Sequence, residues 1–244
     1  MEIKNKKIVL IGCTGNLGKP IYNFLNQKNN KIILLSRVKP KFLKKGDKNY
    51  FFKMDFTQEE NIKNAIFFVK QKFGFPDLVV NGVYTREKNI SEKDLISNLT
   101  RNSKGLYLVN KFFGDFLKKN SKGGSIVVLN SIYSHVAPNF NLYKNKRLSP
   151  TADYNFIKGG IISQVKFFAA EYGKYKVRFN SISYGGIKNH LISKKFEKAY
   201  TSRVPMKRMM SSKDVGGILL FLASEHSSYI TGNNIFVDGG YVCC

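Results

Sequence analysis

A glycine-rich turn directly after a short apolar segment is the feature that most restricts how this 244-residue chain can fold. The segment Ile8–Ile11 reads as a buried strand, and the turn after it opens a stretch with helical periodicity. Glycines here allow a tight turn and let a pyrophosphate approach the start of the helix. Glycine spacing alone fits any tight turn, but the order strand, turn and helix predicts dinucleotide binding. The residues expected to take part are Gly12, Thr14, Gly15, Asn16, Leu17 and Gly18.

The remainder of the chain repeats this alternation of short apolar segments and longer helical segments. Strands that alternate with helices predict a parallel sheet with helices on both faces. We therefore expect a single-domain α/β Rossmann fold over residues 1–244, a doubly wound parallel sheet of about seven strands that binds ligands beyond the strands' carboxyl ends. The predicted strands are Ile8–Ile11, Lys31–Leu35, Tyr50–Lys53, Leu78–Asn81, Ser125–Leu129, Arg178–Ile182 and Asn234–Val237. The predicted helices are Leu17–Gln27, Glu59–Phe73, Asn102–Lys119, Asp153–Tyr172, Ser193–Ala199 and Lys213–Ala223.

The residues after the second predicted strand bear on the choice of dinucleotide. A carboxylate here hydrogen-bonds the ribose hydroxyls of NAD, whereas a cation accommodates the 2′-phosphate of NADP. The sequence is Ser36-Arg37, and no acidic residue occurs between Lys31 and Gly46. These residues favour NADP(H), with NAD(H) as the alternative if Arg37 is only a surface cation.

A tyrosine and a lysine on the fourth predicted helix are suited to acid–base chemistry. Tyr154 and Lys158 are four residues apart, so they share one face of that helix. A phenol ordinarily ionises near pH ~10, and an ammonium beside it favours the phenolate. The phenol can then exchange a proton with an alcohol or a carbonyl near neutral pH. Ser131, just past a predicted strand, offers a second hydroxyl.

Together these motifs resemble the short-chain dehydrogenase/reductase family along nearly the whole chain. The family's Tyr-x-x-x-Lys matches Tyr154 and Lys158, and its catalytic serine matches Ser131. Its asparagine three residues before a glycine matches Asn102, and the ending Tyr229–Gly240 is close to the family's usual C-terminal stretch. The resemblance implies an oxidoreductase that interconverts a secondary alcohol and a ketone. Ser131 and Tyr154 would bind the carbonyl oxygen, Lys158 would hold the ribose, and Asn102 would position a water.

The resemblance also implies further contacts with the dinucleotide. Asp55 would contact the adenine, with the alternative that it caps the local chain at Thr57. Residues 188–205 would form a lid over the substrate, with a plain surface helix as the alternative. The remaining expected cofactor residues are Phe56, Asn81, Gly82, Gly185 and Ile187.

The segment between Ser131 and Tyr154 is longer than is usual in the family and holds an insertion at residues 135–150. Both ends of this insertion are anchored by expected catalytic residues, so it should hang over the active site. Its aromatic and cationic residues suit a sugar ring and an anionic group. The insertion, together with residues 81–86, resembles a subgroup linked to flagellin modification and to legionaminic-acid-type or other surface sugars, with a solvated loop as the alternative. The expected substrate contacts are Tyr84, Tyr133, Tyr143, Arg147 and Gly186.

Bulk composition limits the other classes of function. The net charge of +25 comes from lysines spread along the chain, which favours a solvated lysine-rich surface over nucleic-acid binding. Three cysteines without metal-site spacing predict neither a metal site nor a disulfide framework. No apolar run reaches the ~18 residues of a membrane span, and the N-terminus has no secretory pattern, so we expect a cytoplasmic protein.

Two other functions remain open, and the resemblance implies self-association. A 3-oxoacyl carrier-protein reductase would share the Tyr154 and Lys158 motif, although the insertion counts against its thioester substrate. A non-catalytic NADP(H)-binding or scaffold protein is the alternative of a different class, against which the complete motif argues. The family resemblance implies a homotetramer or homodimer, with Asn102–Lys119 and the C-terminal strand at the interfaces.

Overall fold

The computed structural model describes residues 4–44, 48–85, 91–143, 149–190 and 192–243. Within these ranges seven strands form one sheet in which every pairing is parallel. The strands are β1 (Lys7–Ile11), β2 (Lys31–Ser36), β3 (Tyr50–Lys53), β4 (Leu78–Asn81), β5 (Gly124–Ser131), β6 (Val177–Tyr184) and β7 (Asn234–Val237). The helices are α1 (Gly18–Asn26), α2 (Glu59–Phe73), α3 (Glu92–Leu117), α4 (Ala152–Tyr172), α5 (Lys194–Thr201) and α6 (Gly217–Leu222).

The strand order is β3-β2-β1-β4-β5-β6-β7, so the sheet winds outward in both directions from β1 and β4. Alternate residues of the strands enter two cores on opposite faces of the sheet. Val9 and Ile11 pack in the core under α2, α3 and α4, whereas Ile8 and Leu10 pack in the core under α1 and α6. This arrangement confirms the predicted doubly wound Rossmann fold, whose crevice opens where the winding direction reverses.

Two predicted helix boundaries were wrong. Helix α3 begins at Glu92 rather than at Asn102, because Ser91 and Asp94 form a capping box that starts it earlier. The Ser91 hydroxyl accepts from the Asp94 amide at 3.2 Å, and the Asp94 carboxylate accepts from the Ser91 amide at 3.2 Å. Helix α6 begins at Gly217 rather than at Lys213, because residues 212–214 form a turn and the N-cap is Gly216, a residue with low helix propensity.

Candidate active site

A cleft of about 700 Å³ lies beyond the carboxyl ends of the central strands. Its walls combine the glycine turn after β1, the ends of β2, β5 and β6, the first turns of α4, and one face of α5. A cavity at this place is where a doubly wound sheet binds its ligand. Most of the residues expected from sequence line it. The exceptions among the described residues are Asp55, Asn81 and Asn102.

The glycine turn brings backbone rather than side chains to the cleft. Gly12 has a φ of 73°, and a Cβ atom on it would lie 2.4 Å from the Gly82 carbonyl oxygen. A Cβ atom on Gly18 would lie 1.8 Å from the Cys13 carbonyl oxygen, so only glycine lets α1 begin this close to the turn. The open backbone at the start of α1 therefore fits a pyrophosphate group. The other predicted turn residues also line the cleft: Thr14, Gly15, Asn16 and Leu17.

Arg37 lies at the edge of the cleft just past β2. Its guanidinium is 5.8 Å from the centroid of the Phe56 ring, and its Nη2 donates to the Thr85 hydroxyl at 3.5 Å. Ser36 lines the cleft too, although its hydroxyl donates to the Val38 carbonyl at 2.7 Å. Among the described residues that line the cleft, none is acidic. The wall of the cleft after β2 therefore carries the Arg37 cation, and the nearby Asp55 carboxylate interacts with it electrostatically from outside the lining.

Asp55 forms local contacts. Its Oδ1 accepts hydrogen bonds from the amide of Thr57 at 2.9 Å and from the Thr57 hydroxyl at 2.7 Å. Burial raises the pKa of Asp55, but the Thr57 hydrogen bonds and the nearby Arg37 and Arg101 charges outweigh it and lower the pKa overall. These contacts are those of the alternative in which Asp55 caps the local chain, and the adenine contact stays a prediction.

Two buried asparagines hold the segment that carries Tyr84. Asn81 accepts from the Val83 amide at 3.0 Å, and its amide nitrogen donates to Asn110 at 2.9 Å. The Asn102 side chain binds both backbone polar groups of Thr85. It accepts a hydrogen bond from the Thr85 amide at 2.7 Å and donates one to the Thr85 carbonyl at 2.9 Å. Both asparagines therefore act behind the wall of the cleft, where they hold the backbone on either side of Tyr84.

Tyr154 and Lys158 lie on the face of α4 that lines the cleft, as their spacing predicts. Lys158 is 6% exposed, and its ammonium donates to the Leu129 carbonyl oxygen at 2.9 Å. Burial lowers the pKa of Lys158 to about 8. The ammonium lies 5.7 Å from the centroid of the Tyr154 ring and 5.5 Å from that of Tyr84. The Tyr84 ring in turn packs edge-on against Tyr154, with 5.1 Å between centroids.

Ser131 joins this group from the end of β5. Its hydroxyl oxygen accepts from the Tyr133 amide at 3.2 Å, and no described hydrogen bond uses its proton. A serine hydroxyl that can donate, a half-buried phenol and a buried ammonium thus share one cavity. This set can bind a carbonyl oxygen and exchange a proton with it.

The segment after β6 passes along the opposite side of the cleft. Ile187 pairs with Met210 in a parallel bridge. The Lys188 amide donates to the Met210 carbonyl at 2.9 Å, and the Met210 amide donates to the Gly186 carbonyl at 3.0 Å. A residue bridged in this way directs its own N–H and C=O away from its partner. The backbone of Ile187 is therefore available on the side of the cleft that Gly185, Gly186 and Ile187 line.

The start of the insertion folds back over the cleft. The hydroxyls of Tyr133 and Tyr143 are hydrogen-bonded to each other, and the Tyr143 ring lies 5.4 Å from that of Phe196 in α5. Tyr133, Tyr143 and Phe196 all line the cleft. Arg147, the cation expected to contact the substrate, lies outside the described residues. The insertion and the segment 188–205 thus meet at one end of the cleft.

Sequence reasoning missed several residues of this wall. Phe196 and Tyr200 both line the cleft from α5, and their i, i+4 spacing was a signal that they share a helix face. The Leu129 carbonyl, which binds the Lys158 ammonium, left no signal because a backbone group can belong to any residue.

Comparisons with known proteins agree with this geometry. A family model described as enoyl-(acyl carrier protein) reductase matches residues 35–242. The flagellin modification protein A of Campylobacter coli is 29% identical, over 98% of this chain and 99% of its own length. The 3-oxoacyl-(acyl-carrier-protein) reductase of Buchnera aphidicola is 30% identical, over 98% of each chain.

Among the helices that the structure describes, none combines the length and the hydrophobicity that a membrane span requires.

Solved structures show the same fold. A short-chain dehydrogenase from Leptospira borgpetersenii with bound NAD⁺ superposes with a TM-score of 0.85 at 26% identity, covering 99% of this chain and 94% of that one. A gluconate 5-dehydrogenase from Burkholderia cenocepacia has a TM-score of 0.84 at 18% identity, covering 100% and 97%. The fold and cleft thus define an NAD(P)-dependent oxidoreductase that acts on CH–OH groups. The chain belongs to the short-chain dehydrogenase/reductase family.

Proposed function

We propose that this enzyme interconverts a secondary alcohol and a ketone on a sugar or sugar-phosphate derivative, with NADP(H) as the favoured dinucleotide. The observation that carries the proposal is that Ser131, Tyr154 and Lys158 line one cleft together with the glycine turn and Arg37. Surface-glycan biosynthesis in the cytoplasm is the proposed setting, and the flagellin modification relative supports it.

The proposed roles follow from the geometry of the cleft. A bound nicotinamide would supply or accept the hydride. Ser131 donates a hydrogen bond to the carbonyl oxygen and keeps its proton, and Tyr154, as general acid, transfers the one proton that this oxygen gains on reduction. The Lys158 ammonium beside the Tyr154 ring favours the phenolate and so eases proton transfer. The edge-on packing of Tyr84 restricts the Tyr154 ring to an orientation that faces the cleft.

Asn102 and the dinucleotide contacts are proposed with the same roles that the sequence indicated. Asn102 stabilises the site from behind, since its side chain holds the Thr85 peptide next to Tyr84. The proposal keeps the role in which Asn102 positions a water that relays protons to Lys158. The cofactor would extend from the glycine turn to Ile187, whose free backbone groups suit a carboxamide.

Aromatic side chains support a sugar-like substrate. Tyr133 and Tyr143 line the cleft, and aromatic rings with hydroxyl groups suit the apolar and polar sides of a sugar ring. An anionic group on the substrate would be bound by Arg147 in the proposed arrangement. A 3-oxoacyl carrier-protein substrate is the second candidate, because the Buchnera relative and the matching family model both carry names of carrier-protein reductases.

One substitution tests the chemistry. Tyr154→Phe keeps the ring but removes the proposed acid, so we expect turnover to fall roughly 10²- to 10⁴-fold while dinucleotide affinity stays unchanged. The assay follows NADPH absorbance with a panel of keto-sugars and a 3-oxoacyl thioester of carrier protein. Tyr175→Phe, at an exposed tyrosine outside the cleft, is the matched control and should keep full activity. Undiminished turnover in Tyr154→Phe would sink the mechanism, and the panel decides between the two substrate classes.

We also propose self-association through α3, α4 and β7. Tyr107, Phe156 and Phe167 are 45%, 71% and 61% exposed, which is unusual for large apolar side chains on two adjacent helices. Phe236 on the edge strand β7 is also exposed. Light scattering should give the mass of a dimer or tetramer, and Phe167→Asp should lower it. A monomer at micromolar concentration would exclude this proposal.

A further inference from the structure

We propose that Tyr200 of α5 is a positioning residue for the dinucleotide, because it holds the Gly186 peptide in place where the nicotinamide end would bind. The inference deepens the proposed function and rests on the nicotinamide lying beside Gly185–Ile187. Tyr200 lies within the segment 188–205 that was expected to form a lid, but it is not a family motif residue and no individual role was expected for it. Its role would be to tie the backbone that contacts the cofactor to α5 through a hydrogen bond, so that this backbone keeps one conformation.

The contact is short and buried. The Tyr200 hydroxyl accepts a hydrogen bond from the Gly186 amide at 2.6 Å, and Tyr200 is 3% exposed. A Cβ atom on Gly186 would lie 2.8 Å from Cζ of Tyr200, and one on Gly185 would lie 3.3 Å from its hydroxyl oxygen. The paired glycines after β6 are therefore the residues that let the Tyr200 ring pack directly on the backbone.

The hydrogen bond from Gly186 to Tyr200 supplements two backbone hydrogen bonds that hold residues 185–187. The Gly185 amide donates to the Val237 carbonyl at 2.9 Å, and the Gly186 carbonyl accepts from the Met210 amide at 3.0 Å. Among the residues that the structure describes, Tyr200 is the one whose side chain hydrogen-bonds to the backbone of residues 185–187. Because the amide and the carbonyl of Gly186 are both hydrogen-bonded and the Gly185 amide is held by β7, the next peptide presents Ile187 in one orientation. Loss of the Tyr200 hydroxyl should therefore loosen the nicotinamide end of the site and leave the glycine turn unaffected.

Tyr200 is itself rigidly held. Its ring stacks on Phe196 with centroids 5.9 Å apart and on Tyr241 with centroids 5.0 Å apart, and both pairs are nearly parallel. Phe196 contacts Tyr143 of the insertion, so the insertion, α5 and the C-terminal segment share one aromatic cluster. Burial raises the pKa of Tyr200, which keeps its hydroxyl neutral. Tyr200→Phe preserves these ring contacts and removes only the oxygen.

The test compares dinucleotides with fragments that lack nicotinamide. NADPH is paired with 2′-phospho-ADP-ribose and NADH with ADP-ribose, and calorimetry gives each affinity in wild type, Tyr200→Phe and Tyr172→Phe. Tyr172→Phe removes a buried hydroxyl that donates to Asp115 at 3.0 Å, remote from the cleft, and so controls for general loosening. We expect Tyr200→Phe to bind the preferred dinucleotide roughly five- to tenfold more weakly, as for one lost hydrogen bond, with fragment affinity unchanged. Tyr172→Phe should change neither affinity.

Each other outcome overturns the inference in a recognisable way. Unchanged dinucleotide affinity in Tyr200→Phe would show that the hydroxyl positions nothing. An equal loss for dinucleotide and fragment would show a general structural role. If wild type binds the fragments as tightly as the dinucleotides, the nicotinamide does not lie beside Gly185–Ile187, and the proposed cofactor position fails together with the inference.

Discussion

The buried ammonium of Lys158 should lower the free energy of unfolding, and a neutral side chain at this position should raise it. Burial lowers the Lys158 pKa from 10.5 to about 8. Because each unit of pKa difference corresponds to about 1.4 kcal/mol, the charged form destabilises the fold by roughly 3 kcal/mol. Lys158→Met removes this cost, although the Leu129 carbonyl then loses its donor, which costs about 1–3 kcal/mol. At pH 7 the variant should therefore be as stable as wild type or more stable.

The pH dependence isolates the charge. Below the pKa that Lys158 has in the folded protein, the lysine is protonated in both the folded and the unfolded state. Its burial then lowers the free energy of unfolding by the full amount. Between the folded and unfolded values the unfolded state binds more protons, so wild-type stability rises with pH. Relative to Lys158→Met, wild type should gain roughly 2–3 kcal/mol of unfolding free energy between pH 7 and pH 10, as integration over the two pKa values gives.

Urea unfolding followed by far-UV circular dichroism measures this gain, since the chain has no tryptophan. Comparing the two variants cancels the titration of groups that lie far from Lys158. Repeating the comparison with Tyr154→Phe in both chains removes the phenol whose ring centroid lies 5.7 Å from the ammonium. A stability difference that stays constant from pH 7 to pH 10 would refute the reasoning, because Lys158 would then titrate alike in both states.

Two further substitutions test the cofactor end of the cleft. Gly18→Ala forces a Cβ atom onto the Cys13 carbonyl and should destabilise the fold by at least roughly 3 kcal/mol in urea unfolding. Gly15→Ala, whose Cβ would meet its nearest atom at 4.0 Å, is the control and should stay within about 1 kcal/mol of wild type. Arg37→Ala should weaken NADPH binding roughly 10- to 100-fold in a nicotinamide fluorescence titration and leave NADH affinity within about twofold. Equal effects on the two dinucleotides would contradict the role of Arg37 in binding a 2′-phosphate.

Local patterns accounted for the fold and for part of the site. Alternation of apolar and helical segments predicted all seven strands, with bounds that differ from the structure by at most two residues at either end. The i, i+4 spacing placed Tyr154 and Lys158 on one face of α4, and the glycine turn was recognised from its position between a strand and a helix. The start of α3 was missed although Ser91 and Asp94 carry a readable capping signal.

The sequence by itself determined which segments form strands and helices, and which side chains share a face, because those properties depend on residues close together in the chain. Only the tertiary structure showed that Asn102 holds the Thr85 peptide, that Tyr84 packs on Tyr154, and that Tyr200 holds Gly186. These contacts join separate elements across the end of the sheet. They depend on strand order and on how closely helices pack, which no local periodicity encodes.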